Sequence, residues 1–218
     1  MSCTAVIVAS GSSRRMGFDK LAADLNGRSV LRTSVDQFMA APSVERVVVV
    51  CPEARFNELL SGDFPKPLLR VDGGAERQDS VAAGLAESGD SALVAVHDGA
   101  RPLVSVDAIE SCITEAGRTG AASLARPISE TIKRSDPDGF SQEGVDRENL
   151  WHTETPQIFE AGLLKRAYDH IRSHGLSVTD EVSAVEAIGV PTKLVASSTP
   201  NLKITHAADL HLAEALSK

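Results

Sequence analysis

Short apolar runs recur along the chain, and most are continuous rather than alternating with polar residues. The β-branched run in RVVVVC is the clearest example. Strands that are covered on both faces of a parallel sheet have this pattern. The pattern predicts five buried strands, at Thr4–Ala9, Arg46–Cys51, Ala92–His97, Ala121–Ala125 and Lys193–Ala196.

Apolar residues spaced three and four apart lie between these runs and predict amphipathic helices. One stripe includes Val30 and Phe38, and a later stripe follows Ser105, a good N-cap. Asp79 and Ser80 are expected to start a helix, and Thr179 is expected to cap the helix in TDEVSAVE.

The alternation of strands and helices predicts an α/β fold, a Rossmann-like doubly wound and mostly parallel sheet. A chain of 218 residues fits one domain over residues 1–218. Ligands of such sheets bind beyond the carboxyl ends of the strands, so the residues at those ends are the candidates for function.

One polar, turn-rich stretch interrupts this alternation. It runs from Arg134 to Asp146 as RSDPDGFSQEGVD, between ETIK and RENLWHTETPQIF. The stretch predicts a protruding β-arm at about 132–154 that returns to the sheet. Because a projecting arm usually needs a partner to cover it, we expect a homodimer.

Composition and charge narrow the functional classes. The formal net charge is −8, which disfavours general nucleic-acid binding, since that needs a broad basic face. Cys3, Cys51 and Cys112 have no metal-ligand spacing and are interpreted as reduced core thiols. We expect no membrane-spanning segment and no leader, and therefore a cytoplasmic protein.

The first predicted strand leads into a cationic loop of small residues, VIVASGSSRRMGFDK. Gly11 allows a ligand to approach the backbone, while Arg15 and Lys20 are suited to phosphate. A solvated surface turn is the alternative, with about even odds. The spacing fits neither a P-loop nor the dinucleotide fingerprint, so ATPase and NAD-dependent functions lose their main support.

Polar side chains also follow other predicted strands. VDGGAERQDSVAAGL contains Gly74 and Ser80, which are suited to reading a flat base edge, although an ordinary turn and cap explains them equally well. VAVHDGARP places Asp98 and Arg101 at a strand end, where a simple ion pair is the alternative. In NLKIT, Lys203 taken alone would be an exposed lysine. Thr131, Arg147 and Thr155 bracket the arm and are suited to a phosphorylated polyol.

Taken in order, GGAERQDSV, VHDGARP, LWHTETPQIF, TDEVSAVE and NLKIT resemble one enzyme family. This family is the 2-C-methyl-D-erythritol 4-phosphate cytidylyltransferases of the non-mevalonate isoprenoid pathway. The resemblance runs from Val6 to about Ala215. It implies a fold of the nucleotide-diphospho-sugar transferase type, transfer of CMP from CTP to methylerythritol phosphate, and release of pyrophosphate.

The resemblance also implies roles for individual residues. Arg15 and Lys20 would be catalytic cations, and Lys203 would contact the triphosphate. Mg²⁺ would be held mainly by CTP phosphates, with Asp98 as the one nominated carboxylate. The resemblance assigns Ala9, Ser10, Gly11, Gly74, Ser80, Asp98 and Gly99 to CTP, and Arg101, Thr131, Arg147 and Thr155 to methylerythritol phosphate, with Arg147 reaching in from the partner's arm.

The first loop departs from the family pattern. Only four residues separate Arg15 from Lys20, about two fewer than usual, and SRRMGFDK is closer to molybdopterin nucleotidyltransferases. Ribitol 5-phosphate or a molybdopterin is therefore an alternative acceptor. A non-catalytic nucleotide-binding module is a further alternative.

Overall fold

The computed structural model describes residues 1–11 and 17–217. Within them, the strands are β1 Cys3–Val8, β2 Asp24–Leu25, β3 Arg28–Ser29, β4 Val44–Val50, β5 Leu68–Val71, β6 Leu93–Asp98, β7 Ala121–Pro127, β8 Ile132–Ser135, β9 Ser141–Val145, β10 Trp151–Glu160 and β11 Lys193–Ala196. The helices are α1 Val30–Ala40, α2 Glu53–Leu59, α3 Arg77–Ala86, α4 Val106–Thr119, α5 Ala161–Ser173, α6 Glu181–Glu186 and α7 Ala207–Leu216.

The central sheet has the strand order β11-β7-β10-β6-β1-β4-β5. The β1 strand pairs in parallel with both β4 and β6, and β11 and β5 extend the sheet in parallel at its two edges. Only β10 runs antiparallel to its neighbours in this sheet. The predicted doubly wound, mostly parallel α/β sheet is confirmed.

Helices cover both faces of the sheet, which explains the continuous apolar runs. On β1, Ile7 packs into the core beneath α1 and α4, whereas Val6 packs into the opposite core with α3 and α5. Phe38 of α1 and Leu164 of α5 are fully buried in these two layers. Because successive side chains of a strand point to opposite faces, both sets must be apolar.

All five strands predicted from the sequence are present, but two helix starts differ from expectation. The α3 helix begins at Arg77 rather than at Asp79 or Ser80, and Asp79 accepts a hydrogen bond from the backbone of Glu76. Asp180, not Thr179, caps α6 by accepting the N–H of Ser183. An aspartate one residue later offers an equivalent oxygen, so the composition alone did not separate the two.

The arm is a two-stranded hairpin formed by β8 and β9. Its residues are largely exposed, including Phe140 near the turn. Residues 151–154, at the end of the stretch predicted as the arm, already belong to β10, where Trp151 pairs with Pro127. The hairpin therefore leaves the sheet after β7 and the chain returns through β10.

None of the helices within residues 1–11 and 17–217 is long and apolar enough to cross a bilayer. The three cysteines are buried, as expected of core thiols. Burial raises the pKa of the Cys3 and Cys112 thiols to about 12 and that of Cys51 to about 11.

Candidate active site

Strand register brings the predicted site residues together. Val8 of β1 pairs with Val50 of β4 on one side and with Asp98 of β6 on the other. The segments that follow these strands therefore emerge side by side at the carboxyl edge of the sheet. They enclose a cavity of about 250 Å³.

Nine residues predicted for CTP binding or catalysis line this cavity. Arg15 lies outside the described residues, so its predicted role is not tested. The nine predicted residues are Ala9, Ser10, Gly11, Lys20, Gly74, Ser80, Asp98, Gly99 and Lys203.

Asp98 is the electrostatic centre of the cavity. Its Oδ2 accepts from Lys203 Nζ at 2.8 Å and lies 3.5 Å from Arg101 Nε, while its Oδ1 lies 3.4 Å from two nitrogens of Arg77. Burial opposes ionisation of this carboxyl group, but Lys203, Arg77 and Arg101 outweigh it and hold the pKa of Asp98 well below its ordinary value. Asp98 is therefore ionised, with more than one cation facing it.

Close packing explains the small residues around the cavity. A Cβ atom on Gly74 would lie 2.2 Å from Asp79 Cβ, and one on Gly73 would lie 2.1 Å from Ser10 Oγ. Ser80 Oγ accepts the N–H of Gly74 and donates to the carbonyl of Glu76. The Ser80 hydroxyl thus shapes the loop.

Two lysines come from opposite ends of the chain. Lys20 Nζ donates to the carbonyl of Ile204 at 2.8 Å, next to Lys203 in sequence. Ile204 N–H in turn donates to the carbonyl of Ala100, two residues beyond Asp98. The NLKIT segment is thereby tied to the segment that carries Asp98, which places Lys203 beside that carboxylate.

Arg55 of α2 joins the two ends of the cationic loop. Its guanidinium donates to the carbonyls of Ala9 and Gly11 at the start of the loop. The same group pairs with Asp19 at the end of the loop, with Nη2 at 2.9 Å from Oδ2. Arg55 therefore sets the distance between the two ends of the segment that carries the predicted Arg15.

A chain of hydrogen bonds through buried Thr155 and His97 fixes the end of β6. Asp98 N–H donates to Thr155 Oγ1, whose hydroxyl lies 3.0 Å from His97 Nδ1, and His97 Nε2 lies 3.1 Å from the carbonyl of Arg101. The carbonyl requires a donor, so a neutral His97 is protonated at Nε2 and accepts from Thr155. Burial, the largest influence, lowers the pKa of His97 to about 4.

Sequence and structure comparisons decide the family. A family model described as IspD, 2-C-methyl-D-erythritol 4-phosphate cytidylyltransferase, matches residues 3–218. An enzyme of that name from Symbiobacterium thermophilum is 40% identical over 97% of this chain and 91% of its own. Another enzyme of that name, from Desulforamulus reducens, is 41% identical over 98% of this chain and 95% of its own.

This chain belongs to the 2-C-methyl-D-erythritol 4-phosphate cytidylyltransferase family. It is thus a nucleotidyltransferase enzyme by membership. Crystal structures with that name agree. The Thermus thermophilus structure has a TM-score of 0.84 at 32% identity, with 100% and 99% of the two chains covered, and the Francisella tularensis structure has 0.86 at 29%, with 99% and 100% covered.

The residues expected to bind the acceptor of this cytidylyltransferase family are more dispersed. Arg101 is mostly buried, and its Nη1 donates to the carbonyl of Asn201. Thr155 is buried with its hydroxyl already engaged, while Thr131 and Arg147 are exposed at the base of the arm. Arg147 donates to the carbonyl of Ser129. None of these four lines the cavity as the structure describes it.

Three functional candidates were not identified from the sequence. Arg55 lies outside every family motif, and only its three-dimensional contacts reveal it. Arg77 lies inside GGAERQDSV, and His97 lies inside VHDGARP, so both motifs held the signal. The motifs contain Arg77 and His97 but do not show their roles, because Glu181 and Thr155, which contact them, lie far away in the chain.

A magnesium ion held mainly by triphosphate suits the donors present. No cluster of three or more His, Cys, Asp or Glu side chains is placed to hold a metal within the described ranges. Asp98 offers one ionised carboxylate facing the cavity. Mg²⁺ in nucleotide sites commonly takes one or two carboxylates plus phosphate oxygens and water. The residues of this cytidylyltransferase site fit such an ion.

Proposed function

We propose that this chain transfers CMP from CTP to 2-C-methyl-D-erythritol 4-phosphate in the strand-end cavity. The products would be 4-diphosphocytidyl-2-C-methyl-D-erythritol and pyrophosphate. One observation carries the location: nine residues, expected from the sequence to bind CTP or act in catalysis, converge on one cavity around Asp98.

The acceptor phosphate supplies its own nucleophile. Its second pKa is about 6, so it is mostly ionised at neutral pH and needs no general base. An acceptor oxygen attacks the α-phosphorus of CTP, and the bond from that phosphorus to the bridging oxygen breaks. Pyrophosphate leaves with the electron pair.

Electrostatic repulsion is the main obstacle, because one anion attacks another. Lys203 and Lys20 present ammonium groups in the cavity, and Arg15 is expected to join them. Fixed cations stabilise the charge that develops on the phosphoryl oxygens and on the leaving pyrophosphate, and they hold the reacting groups in line. Lys203 lies 43% exposed beside Asp98, within reach of an entering phosphate.

Mg²⁺ would neutralise triphosphate charge when bound, with Asp98 as its protein ligand. The cytidine would lie against Ala9, Gly74 and Ser80, where absent or small side chains leave room for a flat ring. Arg101 and Thr155 do not line the cavity, but both contact Asp98 and would help to orient the acceptor through that residue.

The arm is proposed to complete the site of a second copy. Arg147 and Thr131 are exposed, and Arg147 does not line the described cavity of its own chain. A homodimer in which the arm reaches over the partner would bring Arg147 to the acceptor phosphate. The buried thiols also suit the reducing cytoplasm, where we place the protein.

A pyrophosphate-release assay tests the proposal. The protein is incubated with CTP, Mg²⁺ and, in parallel, methylerythritol phosphate, ribitol 5-phosphate or a molybdopterin. We expect release with methylerythritol phosphate above the other two. Preference for another acceptor would replace the substrate, and CTP binding without release for any acceptor would indicate a non-catalytic module.

A further inference from the structure

The TDEVSAVE segment places a carboxylate deep inside the protein. Glu181 of α6 is fully buried and forms a bidentate ion pair with Arg77 of α3. The Nη1–Oε1 distance is 2.6 Å and the Nη2–Oε2 distance is 3.0 Å. The Tyr168 hydroxyl donates to Oε1 at 3.1 Å. A buried charge is costly without such partners, so this arrangement fixes Arg77 firmly.

Hydrogen bonds to Gln157 connect the segment that carries Glu181 to the central sheet. Gln157 Oε1 accepts the N–H groups of Glu181 and Val182, and Gln157 Nε2 donates to Asp180 at 2.9 Å. Gln157 belongs to β10 and pairs with Val96 of β6, two residues before Asp98. Glu181 thus has a set position relative to the end of β6.

The other edge of Arg77 faces the active-site carboxylate. Its Nε and Nη2 both lie 3.4 Å from Asp98 Oδ1, whereas Lys203 binds Oδ2. The two oxygens of Asp98 therefore face different cations. Arg77 is tied to Glu181, and Lys203 is the more exposed of the two.

We propose that Arg77 is a positioning residue for cytidylyl transfer: anchored by Glu181, it orients Asp98 and keeps that carboxylate paired when Lys203 turns to the triphosphate. This inference rests on the proposed function. The ion pair between Lys203 and Asp98 opposes the transfer of Lys203 to a phosphate. Because Arg77 shares the charge of Asp98, Lys203 is released more easily.

A purely structural role is the competing explanation, in which Arg77 only fastens α3 to α6. The variant Arg77→Gln alone does not separate the two, since it leaves Glu181 buried without its cation and destabilises the fold. The double variant Arg77→Gln/Glu181→Gln removes both charges and leaves two amides that can hydrogen-bond. It is expected to fold, and its thermal midpoint measures how well.

The experiment compares kcat and KM for CTP between wild type and the double variant, with methylerythritol phosphate as acceptor. We expect kcat to fall about tenfold while KM for CTP changes less than about threefold, because a misoriented Asp98 and Lys203 would stabilise less well the charge that develops in the transition state. Arg77→Lys, which keeps a cation beside Asp98, is expected to recover part of kcat. Arg118→Gln removes an exposed pair with Glu115 and serves as the control with unchanged kcat.

The outcomes are distinguishable. A stable double variant with wild-type kcat would overturn the positioning role and leave the proposed function intact. Equal loss of kcat in Arg77→Lys and the double variant would also overturn it, since charge would then be irrelevant. A folded wild type that releases no pyrophosphate would contradict the proposed function and, with it, this inference.

Discussion

Lys203 Nζ lies 2.8 Å from Asp98 Oδ2, although 105 positions separate the two residues in the sequence. The carboxylate holds the ammonium group at the cavity before any phosphate arrives. The ion pair places Lys203 at the cavity, and the contact of Arg77 with the other oxygen of Asp98 offsets part of its hold on Lys203.

Lys203→Met is expected to lower kcat about 100-fold, because one fixed cation is lost where charge develops in the transition state. Steady-state pyrophosphate release measures the effect. Lys193→Met changes an exposed lysine of β11 and serves as the matched control. If the kcat of Lys203→Met lies within a few-fold of that of the control, Lys203 does not take part in catalysis.

Arg55→Gln is expected to lower kcat/KM for CTP by about 10- to 100-fold, since misplacing a catalytic loop by about 1 Å has effects of that size. The lost hydrogen bonds should cost only about 1–2 kcal/mol of unfolding free energy, so the variant remains folded. Kinetics and denaturant unfolding are measured together.

Arg172→Gln is the control for that variant, because Arg172 pairs with Asp169 on the surface. If Arg55→Gln matches this control in kcat/KM, the contacts of Arg55 with Ala9, Gly11 and Asp19 do not position the loop for catalysis.

His97 makes the free energy of unfolding depend on pH. Its pKa is about 4 in the folded protein against 6.5 for the ordinary side chain, so the unfolded chain binds more protons between these values. The contribution of neutral, buried His97 to the free energy of unfolding is complete above pH 6.5 and is lost as the pH falls towards 4. Its loss by pH 5 amounts to about 2 kcal/mol.

Denaturant unfolding at pH 7 and pH 5 measures this loss. His97→Gln should reduce the difference between the two pH values, whereas His174→Gln, at an exposed position, should leave it unchanged. An identical pH dependence in the His97→Gln variant would show that His97 does not titrate as described.

Mixing two inactive variants tests whether the arm serves a second subunit. Arg147→Ala and Lys203→Ala subunits, once exchanged, should regain partial activity because some sites receive intact residues from both chains. The mixture is compared with each parent after subunit exchange has been verified by mass. A mixture as inactive as its parents would reject shared sites.

Four of the five predicted strands were predictable because both of their faces are mostly apolar and buried, which is a local property of the sequence. The fifth, β11, is a partly buried edge strand that was indicated only by its apolar residues. The β5 strand was not predicted, because Arg70 interrupts the apolar run in LLRV. The β10 strand was not predicted either, because polar residues fill most of its first half. Its antiparallel direction follows from the arm that precedes it, a feature that periodicity does not encode.

The site was predicted from ordered motifs at strand ends, and the register of β1 with β6 explains why they converge. The supporting contacts were not predicted. Glu181 was interpreted as part of a helix start, yet it is a buried partner of Arg77, 104 positions away. Pairings over such separations depend on packing, which no single motif contains.

A structure of this protein with bound CTP and Mg²⁺ would show directly whether the strand-end cavity is the nucleotide site. We expect the triphosphate in the cavity between Ala9, Gly74 and Asp98, with Lys203 Nζ within hydrogen-bond distance of a phosphate oxygen and Arg77 still in contact with Asp98. A nucleotide bound elsewhere, with Lys203 directed into solvent, would contradict it.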